Sequence, residues 1–170
     1  MQSLSRQNLK MIEIITGDLL ESKEKYIAHQ CNCLSKQSAG VAKAIFDMFP
    51  HADVYTDRDG ADVFNSIKIM GNGQDQRYVI NMFSQYYPGQ PKWPLSTKDG
   101  VLVREAAFHK CLLKVARIPK LESIAFPWRI GCGIAGGDWN HYLGTLTNFS
   151  NYVEETQGAK VIIYRRDGDE

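Results

Sequence analysis

Apolar and polar positions along the chain fall into blocks that predict strands and helices in turn. Short apolar, β-branched runs predict strands at residues 11–15, 25–29, 66–70, 77–83, 123–126 and 160–164. Apolar residues spaced three and four apart predict helices at residues 37–49, 101–117 and 139–155. The first two helices are expected to end before Pro50 and Pro119, because proline disfavours helical conformation in the residue that precedes it. A further short helix is predicted at 51–59.

The order of these elements predicts the fold class. A turn signal, Gly71-Asn72-Gly73, separates the third and fourth strands and predicts a hairpin. Elsewhere strands and helices alternate, which predicts a three-layer α/β/α fold with a mixed, mostly parallel central sheet of about six strands. In such sheets ligands bind outside the carboxyl ends of the parallel strands. The loops that follow the predicted strands are therefore the places to look for a binding site.

Composition places the chain among ordinary globular proteins. The 170 residues are 44% apolar and 23% charged, and we expect one domain at residues 11–165 with polar, frayed tails at 1–10 and 166–170. The net charge of +1 offers no basic surface for nucleic acid. No segment has the pattern of a signal peptide or a membrane span, so we expect an intracellular, cytoplasmic protein. A monomer is the default expectation for its oligomeric state. The cysteines lack paired CxxC spacing, and we expect them to be buried rather than to bind metal.

The most informative segment is a glycine-rich loop at residues 127–139, with the sequence Pro-Trp-Arg-Ile-Gly-Cys-Gly-Ile-Ala-Gly-Gly-Asp-Trp. It lies between a predicted strand and a predicted helix, so backbone N–H groups can face an anion there. Asp138 is best explained as the cap of the helix that begins at Trp139, with a catalytic role as the alternative. The loop predicts a phosphate or pyrophosphate site.

Three further segments carry candidate chemistry. Asp18 follows the first strand and either accepts a hydrogen bond from an exocyclic amine such as that of adenine, or caps a short helix. Asn32 follows the second strand, and its amide offers a donor and an acceptor that suit a sugar diol, although an asparagine in this position is more often a turn residue. The small residues Gly40, Val41 and Ala42 begin a helix whose N–H groups either bind phosphate or permit close packing. Together these segments fit a nucleotide diphosphate sugar.

These segments, in this order, resemble the macro domain family, whose members bind ADP-ribose. The resemblance covers residues 12–164, nearly the whole chain. It implies that Asp18 contacts the adenine amine, that Asn32 orients the distal ribose and that Tyr164 packs on the adenine. The implied ADP-ribose contacts are Asp18, Leu19, Asn32, Gly40, Val41, Ala42, Pro127, Ile130, Gly131, Cys132, Gly133, Ile134, Ala135, Trp139 and Tyr164. It implies no cofactor and no metal.

Within that family, the His-x-Cys-Asn-Cys string that begins at His29 and the tryptophan after the glycine loop resemble two groups. One removes the phosphate of ADP-ribose 1″-phosphate, and the other comprises terminal ADP-ribose glycohydrolases. One glycohydrolase pattern uses a lysine near the end of the middle strand and an aspartate in the second loop. This chain has Met82 and Phe83 in that strand and Ile134 and Ala135 in that loop. A covalent lysine mechanism is therefore not expected.

We therefore expect a hydrolase that acts on ADP-ribosylated protein or on ADP-ribose 1″-phosphate. Asn32 would hold the distal ribose, and His29 is either a general base or a buried, hydrogen-bonded histidine. The alternative is a non-catalytic module that reads ADP-ribosylation. We also expect Gly131→Glu to abolish ADP-ribose binding while leaving the fold intact.

Overall fold

A six-stranded sheet organises the chain. The computed structural model describes residues 9–91 and 99–169. The strands are β1 Glu13–Thr16, β2 Tyr26–Asn32, β3 Ile67–Met70, β4 Tyr78–Gln85, β5 Ser123–Pro127 and β6 Lys160–Arg165. The helices are α1 Gly40–Met48, α2 Val101–Ala116 and α3 Trp139–Gln157, with short 3-10 helices at Leu19–Glu21 and Pro50–Ala52.

The sheet has the strand order β1-β6-β5-β2-β4-β3. Every pair is parallel except β3 with β4, which form the predicted antiparallel hairpin. The prediction of a mixed, mostly parallel sheet of about six strands is therefore confirmed. No helix among the described residues is long and apolar enough to cross a membrane.

Helices cover both faces of the sheet. On one face α2 and α3 bury Phe108, Leu112 and Leu146 against the strands. On the other face α1 and the segment after it contribute Ile45 and Phe46. Burying apolar surface on both faces is what stabilises a mainly parallel sheet, since its strands have no solvated side. The three layers are the predicted ones.

Several local predictions were wrong. Of the predicted helix at 51–59, only residues 51 and 52 are helical, within the 3-10 helix Pro50–Ala52. The Asp53 carboxylate accepts hydrogen bonds from the N–H groups of Tyr55 and Thr56 and forms a turn instead. Strands β2 and β4 extend beyond residues 29 and 83, to Asn32 and Gln85. These extensions bring polar side chains to the carboxyl edge of the sheet.

The C-terminal tail also differs from its prediction as a frayed segment. The Arg165 guanidinium donates to the backbone oxygen of Asp169 at 2.7 Å from Nε. The Arg166 N–H donates to the Asp169 carboxylate at 3.0 Å. These bonds close residues 165–169 into a turn that lies against the end of β6.

Candidate functional site

A cleft runs along the carboxyl edge of the sheet, between the start of α1 and the glycine-rich loop. It has two compartments. The Asn32 compartment, of about 380 Å³, is lined by Asn32, Gln85 and the glycine-rich loop. The Tyr164 compartment, of about 560 Å³, is lined by Asp18, Tyr164 and the C-terminal turn. The residues shared by both are Gly40, Val41, Pro127, Trp128 and Arg129. The two compartments are therefore the ends of one continuous cleft.

Asn32 presents its amide nitrogen to the first compartment. Its Oδ1 accepts hydrogen bonds from the N–H groups of Leu34 and Ser35, at 3.0 and 2.7 Å. Its own backbone N–H donates to the Tyr55 hydroxyl at 2.8 Å. Nδ2 has no protein partner among the described residues. An amide fixed through its oxygen keeps two oriented donors for a ligand, so the turn role and the binding role predicted for Asn32 are compatible.

A chain of neutral polar side chains lies beside Asn32. The Ser84 hydroxyl donates to Gln30 Oε1 at 2.8 Å, and Gln30 Nε2 donates to Gln85 Oε1 at 2.9 Å. Gln85 Nε2 then donates to the backbone oxygens of Tyr87 and Gly89. Each amide is oriented by the next, so this wall of the compartment is rigid and uncharged.

The glycine-rich loop is tightly folded at Gly131 and open at Gly133. Gly131 has φ +76°, and a Cβ there would lie 2.7 Å from the Tyr142 ring. Gly137 is equally confined, because a Cβ would lie 2.5 Å from the Gly131 carbonyl oxygen. A Cβ on Gly133 would meet none of the described residues within 4 Å. The expectation that Gly131→Glu leaves the fold intact is therefore wrong, because any side chain there displaces Tyr142.

Helix α1 begins at the junction of the compartments. Gly40 is its first residue, and its φ of +57° brings the backbone close to the Ile134 side chain across the cleft. The first N–H groups of the helix lack intrahelical partners and Ala39 provides no side-chain cap. Arg129 is exposed, lines both compartments and forms no ion pair among the described residues. Oriented N–H groups and one guanidinium make this junction suitable for an anion.

The Tyr164 compartment combines an aromatic face with carboxylates. The Tyr164 ring packs over Gly17, where a Cβ would lie 3.5 Å from it, and its hydroxyl donates to the Glu24 carboxylate. Burial and this carboxylate raise the pKa of Tyr164 to about 12, so the ring stays neutral. Asp18 Oδ1 accepts from the Leu20 N–H at 2.9 Å, which confirms the predicted cap. Its Oδ2 has no partner among the described residues.

His29 contributes to the lining of the Asn32 compartment but is only 1% exposed. Its Nε2 is 2.6 Å from Asn81 Oδ1, and burial lowers the pKa of the ring to about 4 despite that hydrogen bond. The neighbouring Cys31 thiol lies 3.5 Å from the same nitrogen, and burial raises its pKa. The pair is neutral, which favours the interpretation of His29 as a buried, hydrogen-bonded histidine. The four cysteines are all buried, as expected.

Solved structures with the same architecture include two macrodomains of DarG proteins. The Mycobacterium tuberculosis DarG macrodomain matches with 19% identity and a TM-score of 0.69, over 92% of this chain and 99% of that one. The Thermus aquaticus DarG macrodomain matches with 22% identity and a TM-score of 0.65, over 91% and 98%. A Trypanosoma brucei macrodomain solved in complex with ADP-ribose matches with 15% identity and a TM-score of 0.63, over 91% and 63%. This chain has the macrodomain fold.

Sequence comparison adds one relative of similar chain length. An uncharacterized 17.5 kDa protein from the tk-vs intergenic region of Enterobacteria phage T4 is 26% identical over 155 residues, which cover 85% of this chain and 93% of that protein. No protein-family model matches the chain. The macrodomain fold of this chain therefore rests on its structure.

Most of the residues predicted to bind ADP-ribose line the cleft of this macrodomain fold. Two do not. Cys132 is buried with its thiol directed at the Ile130 carbonyl, and Trp139 packs edge-on against Trp128. Sequence reasoning missed the cleft residues Gln30, Ser35, Gln37, Tyr55, Gln85, Pro88, Gly89, Arg166 and Asp169. Most of them follow strand ends or lie in a turn, where residue type alone carries no periodic signal.

Proposed function

We propose that this chain binds ADP-ribose along the cleft. The adenine occupies the Tyr164 compartment, the diphosphate lies at the junction and the distal ribose enters the Asn32 compartment. The proposal is carried by the arrangement of the cleft. The Asn32 compartment, with its wall of neutral amides, and the Tyr164 compartment, with an aromatic ring and carboxylates, lie on either side of a junction rich in N–H donors. A ligand with a central anion and a polar group at each end fits that arrangement.

Each end of the cleft offers groups of the right chemistry. At one end, Tyr164 provides a flat apolar face and Asp18 Oδ2 can accept from an exocyclic amine. At the other end, Asn32 Nδ2 can donate to a ribose hydroxyl. Solved structures of the same fold support the ligand, since the Trypanosoma brucei macrodomain is in complex with ADP-ribose. An Oceanobacillus iheyensis macrodomain variant was also solved with ADPR.

The reaction proposed for this cleft is hydrolysis of an ADP-ribose derivative, either ADP-ribosylated protein or ADP-ribose 1″-phosphate. A water held between the diphosphate and the distal ribose attacks C1″ of that ribose, which Asn32 orients. The bond from C1″ to the acceptor oxygen breaks, and the proton of the water passes by way of a diphosphate oxygen to the departing carboxylate or phosphate. N–H donors of the glycine-rich loop stabilise the negative charge that develops as the bond to the leaving group breaks. His29 takes no part in this proposal, because its Nε2 is engaged by Asn81 and burial lowers the pKa of the ring to about 4.

A second candidate is a module that binds ADP-ribose without turnover. The described residues that line the Asn32 compartment include no carboxylate and no lysine, and the Nε2 of its histidine, His29, is held by Asn81. General acid–base catalysis in such a cleft would have to come from the substrate's own phosphate or from water. This lining favours a reader of ADP-ribosylation over an enzyme with a dedicated acid and base.

The test has a binding step and a turnover step. Calorimetric titration with ADP-ribose is followed by incubation with ADP-ribose 1″-phosphate and with glutamate-ADP-ribosylated protein. Release of phosphate or of ADP-ribose by the wild type identifies a hydrolase and its substrate, provided that the Asn32→Asp variant no longer releases the product. Binding without release identifies a reader. A folded protein that shows no binding would contradict both proposals.

A further inference from the structure

A buried ion pair lies behind the Asn32 compartment, outside the cleft. Arg104 of α2 is 2% exposed and Asp99 is 1% exposed. Arg104 Nε donates to Asp99 Oδ1 at 2.9 Å, and one of its terminal nitrogens donates to Oδ2 at 2.5 Å. Such a bidentate pair cancels the charge of the guanidinium and fixes its plane. Neither residue lines the cleft.

The remaining donors of Arg104 go to backbone oxygens of two loops. It donates to Gly89 at 2.7 Å and to Tyr87 at 3.1 Å, in the segment that follows β4. It also donates to Ala135 of the glycine-rich loop at 3.2 Å. With the two bonds to Asp99, all five N–H donors of the guanidinium are used. One buried side chain therefore joins the β4 loop to the glycine-rich loop.

Asp99 reinforces the same junction from the other side. Its two oxygens accept hydrogen bonds from the backbone N–H groups of Tyr86 and Tyr87, at 2.9 and 3.1 Å. Gln85 also donates to the Tyr87 and Gly89 oxygens, so the β4 loop has a second donor. The Ala135 oxygen has only Arg104 as donor among the described residues. The glycine-rich loop thus depends on Arg104 more than the β4 loop does.

Two of the joined residues line the Asn32 compartment itself. Gly89 and Ala135 both belong to its wall, whereas neither belongs to the Tyr164 compartment. One guanidinium therefore hydrogen-bonds both wall segments, beside the direct packing of the Gln90 side chain against Gly136. A lysine has three donors on a point charge and cannot make five bonds in a plane, so it cannot reproduce this junction.

We propose that Arg104 is a positioning residue that holds the wall of the Asn32 compartment at the spacing needed to accept the distal ribose. The inference rests on the proposed function, because it assigns the Asn32 compartment to that ribose. It predicts that losing Arg104 weakens the binding of the part of the ligand beyond the diphosphate and leaves the binding of the adenosine and the diphosphate unchanged. Those parts contact the Tyr164 compartment and the junction, which Arg104 does not touch.

The experiment compares two ligands by calorimetry on the full chain. The affinity for ADP-ribose depends on contacts in both compartments. The affinity for ADP depends on the Tyr164 compartment and the junction alone, because ADP lacks the distal ribose. We expect Arg104→Lys to weaken ADP-ribose at least tenfold and ADP less than threefold. The double variant Arg104→Met with Asp99→Asn removes both charges together, which avoids a lone buried charge if the single variant does not fold. It should show the same selective loss.

A destabilising change elsewhere on α2 serves as the control. Val115 is fully buried and faces the core, so Val115→Ala lowers stability without touching either loop. It should leave both affinities within threefold of the wild type below its unfolding temperature. Equal losses of ADP-ribose and ADP in the Arg104 variants, or no loss of either, would overturn the inference. Failure of the wild type to bind ADP-ribose would instead overturn the proposed function, and the inference with it.

Discussion

A carboxylate introduced at Gly133 should expel the ligand without disturbing the fold. A Cβ at this position would lie more than 4 Å from its neighbours in residues 9–91 and 99–169, and the φ of Gly133 lies outside the left-handed region. A glutamate there reaches into the Asn32 compartment, beside the position proposed for the diphosphate. For the glutamate charge against two negative charges at a separation of about 6 Å, Coulomb's law with an effective dielectric constant between about 40 and 80 gives roughly 1.4–2.8 kcal/mol of repulsion. That corresponds to a loss of about ten- to hundredfold in affinity.

The assay is calorimetric titration of ADP-ribose into Gly133→Glu and three matched variants. Gly133→Ala and Gly133→Gln test added volume without charge. Because glutamine and glutamate differ only in charge, we expect Gly133→Gln to bind about ten- to hundredfold more tightly than Gly133→Glu. Gly144→Glu adds the same charge on α3, where a Cβ likewise meets none of its neighbours within 4 Å in the part of the chain that the structure describes. Its affinity should equal that of the wild type. The difference between glutamate and glutamine at Gly133 should shrink as salt screens the charges.

Equal affinities for the glutamate and glutamine variants would refute the reasoning, since no anion would then lie near Gly133. The same conclusion would follow if Gly144→Glu weakened binding as strongly as Gly133→Glu. Thermal unfolding gives the check on the fold, because a substitution in open space should change stability by less than about 0.5 kcal/mol. Gly131 is unsuitable as a probe, since a side chain there meets the Tyr142 ring at 2.7 Å.

Three further predictions concern individual side chains of the site. Asp18→Ala should weaken ADP-ribose more than ribose 5-phosphate, and equal losses in a titration of both would mean that Asp18 is only a cap. Asn32→Asp keeps the oxygen that supports the turn but loses the amide donors, so ADP-ribose should bind about tenfold more weakly and ADP unchanged; parallel losses would contradict the assignment. His29 has a folded pKa of about 4, below its unfolded pKa of 6.5. The unfolded state therefore binds the proton more readily, and the free energy of unfolding should fall by roughly 1.4 kcal/mol per pH unit as pH drops from 6.5 towards 4. Urea unfolding at pH 7 and pH 5 should show a smaller difference in His29→Gln, and an unchanged difference would argue against this origin.

Periodicity was sufficient to predict the sheet but not the packing of each helix. Spacings of four and three residues put Val41 and Met48 on the same side of α1 as the buried Ile45, yet both are exposed, and Ala42 and Phe46 are buried instead. Val41 is exposed because the start of α1 faces the cleft rather than the core. A site at a helix start exposes apolar positions that a periodic pattern assigns to the interior.

The residues that shape the ends of the cleft carry no such pattern. Gln85 follows an apolar run that ends at Phe83, and only its pairing with Asn32 across β2 and β4 brings it into the wall. Arg104 falls within an amphipathic helix, where an arginine normally indicates a solvated position. Its burial depends on Asp99, which precedes the helix by only two residues but finds its other partners in the β4 loop. Such contacts are decided by tertiary structure, so local sequence could not have predicted them.

The most direct test of the account is a titration of the wild-type chain with ADP-ribose and, in parallel, with ADP and ribose 5-phosphate. Occupation of both compartments predicts one site per chain, with ADP-ribose bound more tightly than either fragment. Affinity for ADP equal to that for ADP-ribose would contradict the assignment of the Asn32 compartment. No heat and no thermal stabilisation with any of the three ligands would contradict the central claim that this cleft binds ADP-ribose.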